Sequence, residues 1–303
     1  MRIIRSVSEM NLCARRWHTG GRRTGLVPTM GALHAGHHGL LDLARPRCDM
    51  LVASLFVNPT QFDSNADLER YPRAFEADAK ACQAAGVDVL FAPPASEMYP
   101  PGFTTWVDVP EIGARYEGEA RPGHFRGVCT VVLKLFEITQ PGFAVFGHKD
   151  AQQLALIRRM VRDLGLPVRI VAAPTVREAD GLAVSSRNRF LSPQQRARAP
   201  VLYRALQRAA QLRARGERSS ARLRQAMRKP LQEIADLEID YADVVDPERF
   251  QPVEEAPPGA LLIVAARLGR VRLIDNLTLS QESAAADPRA GGGGEGRRSI
   301  GPR

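Results

Sequence analysis

The chain has 303 residues, of which 44% are hydrophobic and 25% charged. That length suits two domains or one domain with an appendage, and the composition supports a sizeable core, which excludes wholesale disorder. The formal charge of +9 raises the question of a polyanionic partner. The surplus is local: between Gln194 and Pro230 stand ten arginines, Lys229 and a single acid, Glu217, and the remainder of the chain is nearly neutral. Cys13, Cys48, Cys82 and Cys129 form no CxxC pair or Cys/His cluster, so neither a zinc knuckle nor a disulfide framework is suggested. The N-terminal MRIIRSVSEM lacks the apolar core of a signal peptide, and no apolar run approaches the roughly 18 residues of a membrane span. The expectation is a soluble protein of a reducing cytoplasm with no membrane partner.

The first half alternates short β-branched runs with longer helical patterns. Strands are expected at Thr24–Val27, Met50–Val57, Val87–Ala92, Ala144–Phe146 and Val168–Ala172. Helices are expected at His37–Ala44, Asp67–Ala85, Gly127–Thr139 and Asp150–Leu164. Strands separated by helices imply a Rossmann-like parallel sheet with helices on both faces, although no GxGxxG is present. After Pro174 the character changes. Ser192 followed by Pro193 reads as a helix start, and Ser192–Gly216 and Ser219–Leu237 read as two Arg-rich amphipathic helices. Strand-like runs follow at Ile239–Val245, Leu261–Ala266 and Val271–Leu277. The expected organisation is a nucleotide-binding domain over 1–176, a smaller α+β domain over 177–280 and a disordered Gly/Arg-rich tail over 281–303.

Four strings carry candidate chemistry. Residues 27–38 (VPTMGALHAGHH) join a strand to a helix and hold three of the six histidines. His34 and His37 share a helix face, Gly36 lets a ligand approach the backbone, and a helix N-terminus suits phosphate. HxxH supplies only two ligands, which argues against a metal site there. Residues 56–62 (FVNPTQF) follow the second strand, and Asn58 and Gln61 offer uncharged amides to a hydroxylated carboxylate. Residues 146–153 (FGHKDAQQ) place Lys149, one of four lysines, at a strand-to-helix turn beside Gly147. There it can neutralise phosphate oxygens, or serve only as a surface pair with Asp150. In residues 174–188 (PTVREADGLAVSSRN), Ser185, Ser186 and Arg187 form a compact anion grip or a polar hinge. Glu76 and Asp78 lie on a predicted helix, either as a solvated face or with Asp78 as a ligand for the Mg2+ that ATP chemistry uses.

The HxGH string resembles the HIGH signature of the nucleotidyltransferase superfamily. The longer PTMGALHAGH, with VNPTQF, GHKDxQQ and SSRN in order after it, resembles the pantoate–β-alanine ligase (pantothenate synthetase) family. Four ordered strings are far more specific than one. The resemblance implies ATP held by Met30, Gly31, His34, Gly36, His37, Gly147, His148, Lys149, Asp150, Val176, Val184, Ser185, Ser186 and Arg187. It implies pantoate held by Gln61 and Gln153 and β-alanine beside Gln61. It also implies catalytic roles for His34, His37, Lys149 and Arg187, a pantoyl-adenylate intermediate and a homodimer. Three positions depart from the family pattern: His148 stands for Glu, Ala151 for an aromatic residue and Val184 for Met. The small domain is expected to act as a lid hinged near 176–188.

Two other readings compete. Another HxGH nucleotidyltransferase would use the histidines and the SSRN-like loop, but needs no second amide pocket. A nucleic-acid-binding protein would use the Arg-rich helices. Those arginines fall on several faces, and Tyr203 is almost alone among them as an aromatic, so specific nucleic-acid binding is not expected.

Overall fold

The structure is a computed structural model and describes residues 1–62 and 65–279. The tail at 281–303, expected to be disordered, lies outside the described residues. Six strands make one parallel sheet: β1 (Arg2–Ile4), β2 (Thr24–Thr29), β3 (Met50–Leu55), β4 (Val89–Phe91), β5 (Phe143–Gly147) and β6 (Arg169–Ala173). Their order is β1-β4-β3-β2-β5-β6. From β2 the chain steps outward through β3 and β4, then returns to the other side of β2 for β5 and β6. Strand order therefore reverses between β2 and β5, where the loops leaving two neighbouring strands diverge and open a crevice.

The continuous apolar strands follow from cover on both faces. Leu26, Val52 and Phe91 point into one core with Met10 and Cys13 of the helix Val7–Thr19 and with the helices His124–Thr139 and Ala151–Asp163. Val27, Leu51, Ala53 and Leu90 point into the other, against the helices Ala35–Ala44 and Phe75–Ala84. A period of two in the strands thus feeds two helical layers from one sheet.

A second sheet is antiparallel, in the order β7 (Leu237–Val245), β8 (Leu261–Leu268), β9 (Val271–Thr278). The alternation in β8 divides its faces. Leu261 and Ile263 enter the core of the parallel sheet. Leu262, Val264, Ala266 and Leu268 pack beneath the Arg-rich helices with Leu206, Leu223 and Met227. The C-terminal sheet is therefore joined to the first core through side chains and not only through the chain connection.

Several element boundaries differ from the sequence expectation, each for a local reason. The stretch Asp67–Ala85 is not one helix: Asn65–Arg70 and Phe75–Ala84 are separated around Pro72, which cannot continue a helical hydrogen-bond ladder. Ser192–Gly216 likewise splits at Pro200 into Pro193–Arg198 and Val201–Ala214. β1 and the helix Val7–Thr19 are additions to the expected elements. β1 is a three-residue edge strand whose Ile3 is exposed, too short for a periodic signal. No helix among the described residues is long and apolar enough to cross a membrane.

Part of the charge surplus is paired. Arg196 meets Glu178 and Asp180, Arg198 meets Asp236, and Arg224 meets Asp243. Arg213 is buried and donates to the Ala256 carbonyl.

Ile263 is 3% exposed and links the two sheets. Ile263→Ala is expected to cost about 2–5 kcal/mol. Because the cores meet there, unfolding should remain one transition seen alike by far-ultraviolet circular dichroism and fluorescence. Two separated transitions in the wild type would contradict the shared core.

Candidate active site

The four strings leave the carboxyl ends of β2, β3, β5 and β6, and the fold brings all four to one cleft of about 1070 Å³. Met30, His34, Gly36, His37, Asn58, Gln61, Gly147, Lys149, Asp150, Gln153, Val176, Val184, Ser185, Ser186 and Arg187 line it. Gly31, His148 and Asp78 do not.

The first string turns sharply after β2. Gly31 and Ala32 both have positive φ, 87° and 52°, the second unusual for a residue with a side chain. Asp78 holds this bend from behind. It is 3% exposed, and its two carboxylate oxygens accept the Ala32 N–H at 2.9 Å and the Leu33 N–H at 2.8 Å. A side chain at Gly31 would press on that carboxylate. Asp78, expected as a Mg2+ ligand, thus bonds the loop backbone through both oxygens and does not line the cleft. Among the described residues no three His, Cys, Asp or Glu side chains converge as a metal site.

The bend delivers His34 as the N-cap of the helix Ala35–Ala44. The Gly36 N–H donates to His34 Nδ1 at 3.2 Å, and the His34 N–H donates to His37 Nδ1 at 3.3 Å. The two rings lie 4.1 Å apart between centroids. A Cβ at residue 36 would strike the His34 ring, so Gly36 permits the cap itself. Both Nδ1 atoms act as acceptors, so both rings are neutral with the proton on Nε2. Burial pushes the His37 pKa down to about 3, helped by its neighbour His34. Burial also lowers His34, followed by the charge of Lys149. The pair thus adds two neutral N–H donors to a helix N-terminus already suited to phosphate.

The second string forms a 3-10 turn, Pro59–Gln61. Asn58 is 1% exposed and fully engaged. Its Nδ2 donates to Gln61 Oε1 (3.0 Å) and the Gly127 carbonyl (3.1 Å), while its Oδ1 accepts from Tyr99 and Thr60 (both 2.9 Å). Asn58 is therefore a bracket for Gln61. The Gln61 amide oxygen faces Asn58, and its Nε2 reaches Met30 Sδ at 3.2 Å along the cleft. The helix His124–Thr139 packs onto this turn so closely that a Cβ at Gly127 would stand 2.9 Å from the Gln61 nitrogen. Arg121 Nη2 donates to the Gln61 carbonyl at 3.0 Å, and His124 Nδ1 lies 2.7 Å from the same oxygen.

In the third string Lys149 is largely buried, 3.8 Å from Asp150. Gln153 and Gln152 both line the cleft, and the Gln152 amide is committed to backbone: it donates to the Ile112 and Arg115 carbonyls (both 2.9 Å) and accepts from the Glu117 N–H at 3.1 Å. His148, expected at the nucleotide, sends its side chain toward β9, with Nε2 3.4 Å from the Thr278 hydroxyl. In the fourth string the Val184 N–H donates to the Val176 carbonyl at 2.9 Å, so both valines flank the cleft together. Ser185 caps the short 3-10 turn that carries Ser186 and Arg187.

Sequence reasoning missed a second set of cations and their partner. Arg121, Arg267, Arg270 and Arg272 line the cleft, as does Glu117. Glu117 takes both guanidinium ends of Arg272 at 2.6 Å and accepts from the Tyr241 hydroxyl at 2.8 Å. This joins β9 and β7 to the segment before the helix His124–Thr139. The sequence signal nearest to these residues is the string at 124–127 (HFRG), which precedes a helix and resembles a family segment but carries no assigned role.

A parallel sheet opened at its reversal, a His-capped helix N-terminus, and a lysine turn beside a Ser-Ser-Arg loop define a nucleotide-handling α/β enzyme. The comparisons specify which. The model of the Pantoate-beta-alanine ligase family matches residues 2–278. A pantothenate synthetase of Oleidesulfovibrio alaskensis is 51% identical over 280 residues, covering 92% of this chain and 100% of that protein. That of Geobacter sulfurreducens is 52% identical over 282 residues, covering 93% and 100%. The crystal structure of pantothenate synthetase from Thermus thermophilus superposes with a TM-score of 0.87 at 48% identity, covering 92% of this chain and 100% of that one. A Francisella tularensis pantoate-β-alanine ligase, solved with β-γ ATP and β-alanine, gives 0.75 at 32% identity, covering 92% and 97%. The chain belongs to the pantoate–β-alanine ligase family.

Two outcomes follow from the geometry. Gly127→Ala should displace the turn carrying Gln61 and lower kcat/KM by about tenfold or more, with the helix retained by circular dichroism; unchanged kinetics would mean that the turn is not held there. For His37, the folded pKa near 3 lies below the ordinary 6.5, so its contribution to stability is full above pH 6.5 and is lost as pH falls toward 3. The difference in urea midpoint between wild type and His37→Gln should narrow over that window. A difference that stays constant would contradict a neutral, buried imidazole.

Proposed function

We propose that the chain condenses pantoate with β-alanine at the expense of ATP, by way of pantoyl adenylate. The observation that carries this reading is the meeting of two amide side chains, Gln61 and Gln153, with His34, His37, Lys149 and the Ser185–Arg187 loop in one cleft. A nucleotidyl transfer alone has no use for the amide end. In the first step a pantoate carboxylate oxygen attacks the α-phosphorus, and the bond from that phosphorus to pyrophosphate breaks. In the second step the β-alanine amine attacks the activated carbonyl, loses a proton, and AMP departs with the oxygen that had joined it to the acyl group.

Each step asks for something these residues supply. Negative charge accumulates on the phosphates, and Lys149, Arg187, the Ser185 and Ser186 hydroxyls and the two imidazole N–H groups meet it. Gln61, fixed by Asn58, and Gln153 hold pantoate without adding charge, so the carboxylate keeps its approach line to phosphorus. Mg2+ accompanying the nucleotide would add to the neutralisation that Lys149 and Arg187 supply, and would ask for few protein ligands. The covalent intermediate is the adenylate, so no nucleophilic Ser or Cys is required.

The same reading divides the chain at about residue 176 into a nucleotide- and pantoate-binding unit and a C-terminal unit that shields the adenylate from water. It places the protein in the cytoplasm as a homodimer. The ion pairs of Glu117 with Arg272 support a cover that is latched to the first unit.

Lys149→Ala and His37→Ala should each lower pantothenate and AMP formation by about 100-fold or more. Unimpaired synthesis in both variants would overturn the site assignment. AMP or pyrophosphate released from ATP without pantoate would favour a different nucleotidyltransferase.

A further inference from the structure

Strand β9 runs between the two nucleotide-facing segments that follow β5 and β6, and it carries two consecutive polar residues, Asp275 and Asn276, each 4% exposed. Consecutive residues of a strand send their side chains to opposite faces. Here each reaches a different segment. Asp275 takes Arg177, the residue after Val176, through contacts of 2.6 and 2.9 Å. The same guanidinium donates to the Gly181 carbonyl at 3.1 Å and lies 3.8 Å over the Tyr203 ring. Arg177 thereby fastens both sides of the 176–184 loop to β9.

Asn276 faces the other way. Its Nδ2 donates to the His148 carbonyl at 3.0 Å and to the Lys149 carbonyl at 2.8 Å. Both partners are acceptors, so the orientation of the amide is set. Its Oδ1 is buried and makes no hydrogen bond of good geometry among the described residues, although the amide also acts on the neighbouring His148 ring. An amide left half-satisfied in the interior is costly compared with an apolar residue of similar size. The two donations to the turn of Lys149 are the compensation visible in the fold.

We propose that Asp275 and Asn276 form a clamp that sets the spacing between the Lys149 turn and the Val176–Arg187 loop, and with it the fit of both segments to ATP. They are positioning residues: Asn276 acts through Lys149, and Asp275 acts through Arg177. Neither lies in the four strings that mark the family. The C-terminal sheet is then part of the nucleotide site's framework as well as its cover.

This inference rests on the ligase reading, and its test is arranged so that the two fail separately. Pantothenate formation by the wild type tests the reading, whereas ATP binding measured by titration calorimetry tests the clamp in either event. Asn276→Ala should weaken ATP binding and raise the KM for ATP on the order of tenfold or more, with the KM for pantoate unchanged. In a Lys149→Ala background the same substitution should change ATP binding little, because it acts through the residue already removed. Equal losses in both backgrounds would overturn the clamp. So would a fall in kcat and thermal midpoint with the KM for ATP unchanged, the signature of a packing role. Should Asn276→Ala fail to fold, the isosteric Asp275→Asn carries the test: a raised KM for ATP with an unchanged KM for pantoate supports the clamp, and an unchanged KM for ATP overturns it.

Discussion

The cleft depends on one kind of interaction: a buried polar side chain bonded to the backbone of a loop. Loops leaving the carboxyl ends of parallel strands carry N–H and C=O groups that no neighbouring strand satisfies. An unpaired group in the interior costs about 1–3 kcal/mol. Asp78 answers for the Ala32 and Leu33 N–H groups, and Gln152 for the Ile112 and Arg115 carbonyls and the Glu117 N–H. Asn58 braces Gln61 against the Gly127 carbonyl. Asp78 stands outside the cleft, whereas Asn58 and Gln152 lie along its wall with their amides engaged by Gln61 and by backbone groups. A preorganised arrangement of this kind leaves little to rearrange when charge develops.

The electrostatics follow the same division. The overall charge of +9 originates in the Arg-rich helices, where Arg196, Arg198 and Arg224 pair with Glu178, Asp180, Asp236 and Asp243. The cations facing the cleft come from elsewhere: Lys149, Arg187, Arg70, Arg121 and the β8–β9 group Arg267, Arg270 and Arg272. Glu117 partly neutralises that last group. The histidine pair adds donors without adding charge, since burial keeps both rings neutral. On the proposed reading, a triphosphate would meet cations around the rim and neutral N–H groups at the helix N-terminus.

Much of this is legible in the sequence because it is local. Apolar runs of five or six residues announce buried strands wherever they occur, and the observed bounds of β2, β3 and β5 fall close to the expected ones. Proline breaks are harder to read: Pro72 and Pro200 each end a helix that the surrounding periodicity would have continued. His148 follows the string it sits in, yet its side chain answers to Thr278, 130 residues away. Asp78 shows the same limit. As an acid on a helix it could face solvent, metal or backbone, and only its position behind the β2 bend decides for backbone.

By itself the sequence determined the class of fold, the four strings that meet at the cleft and the family, because spacing within a strand, a turn or a helix start is set by backbone geometry over a few residues. Tertiary structure decided everything that depends on pairs far apart in the chain. It decided that β2 and β5 are neighbours, so that residues 30–38 and 146–153 share a crevice. It decided that Gly127 must lack a side chain because the Gln61 turn lies against it, and that Glu117 meets Arg272. Such contacts are chosen by packing and by the need to satisfy buried polar groups, and neither is encoded in any short window of residues.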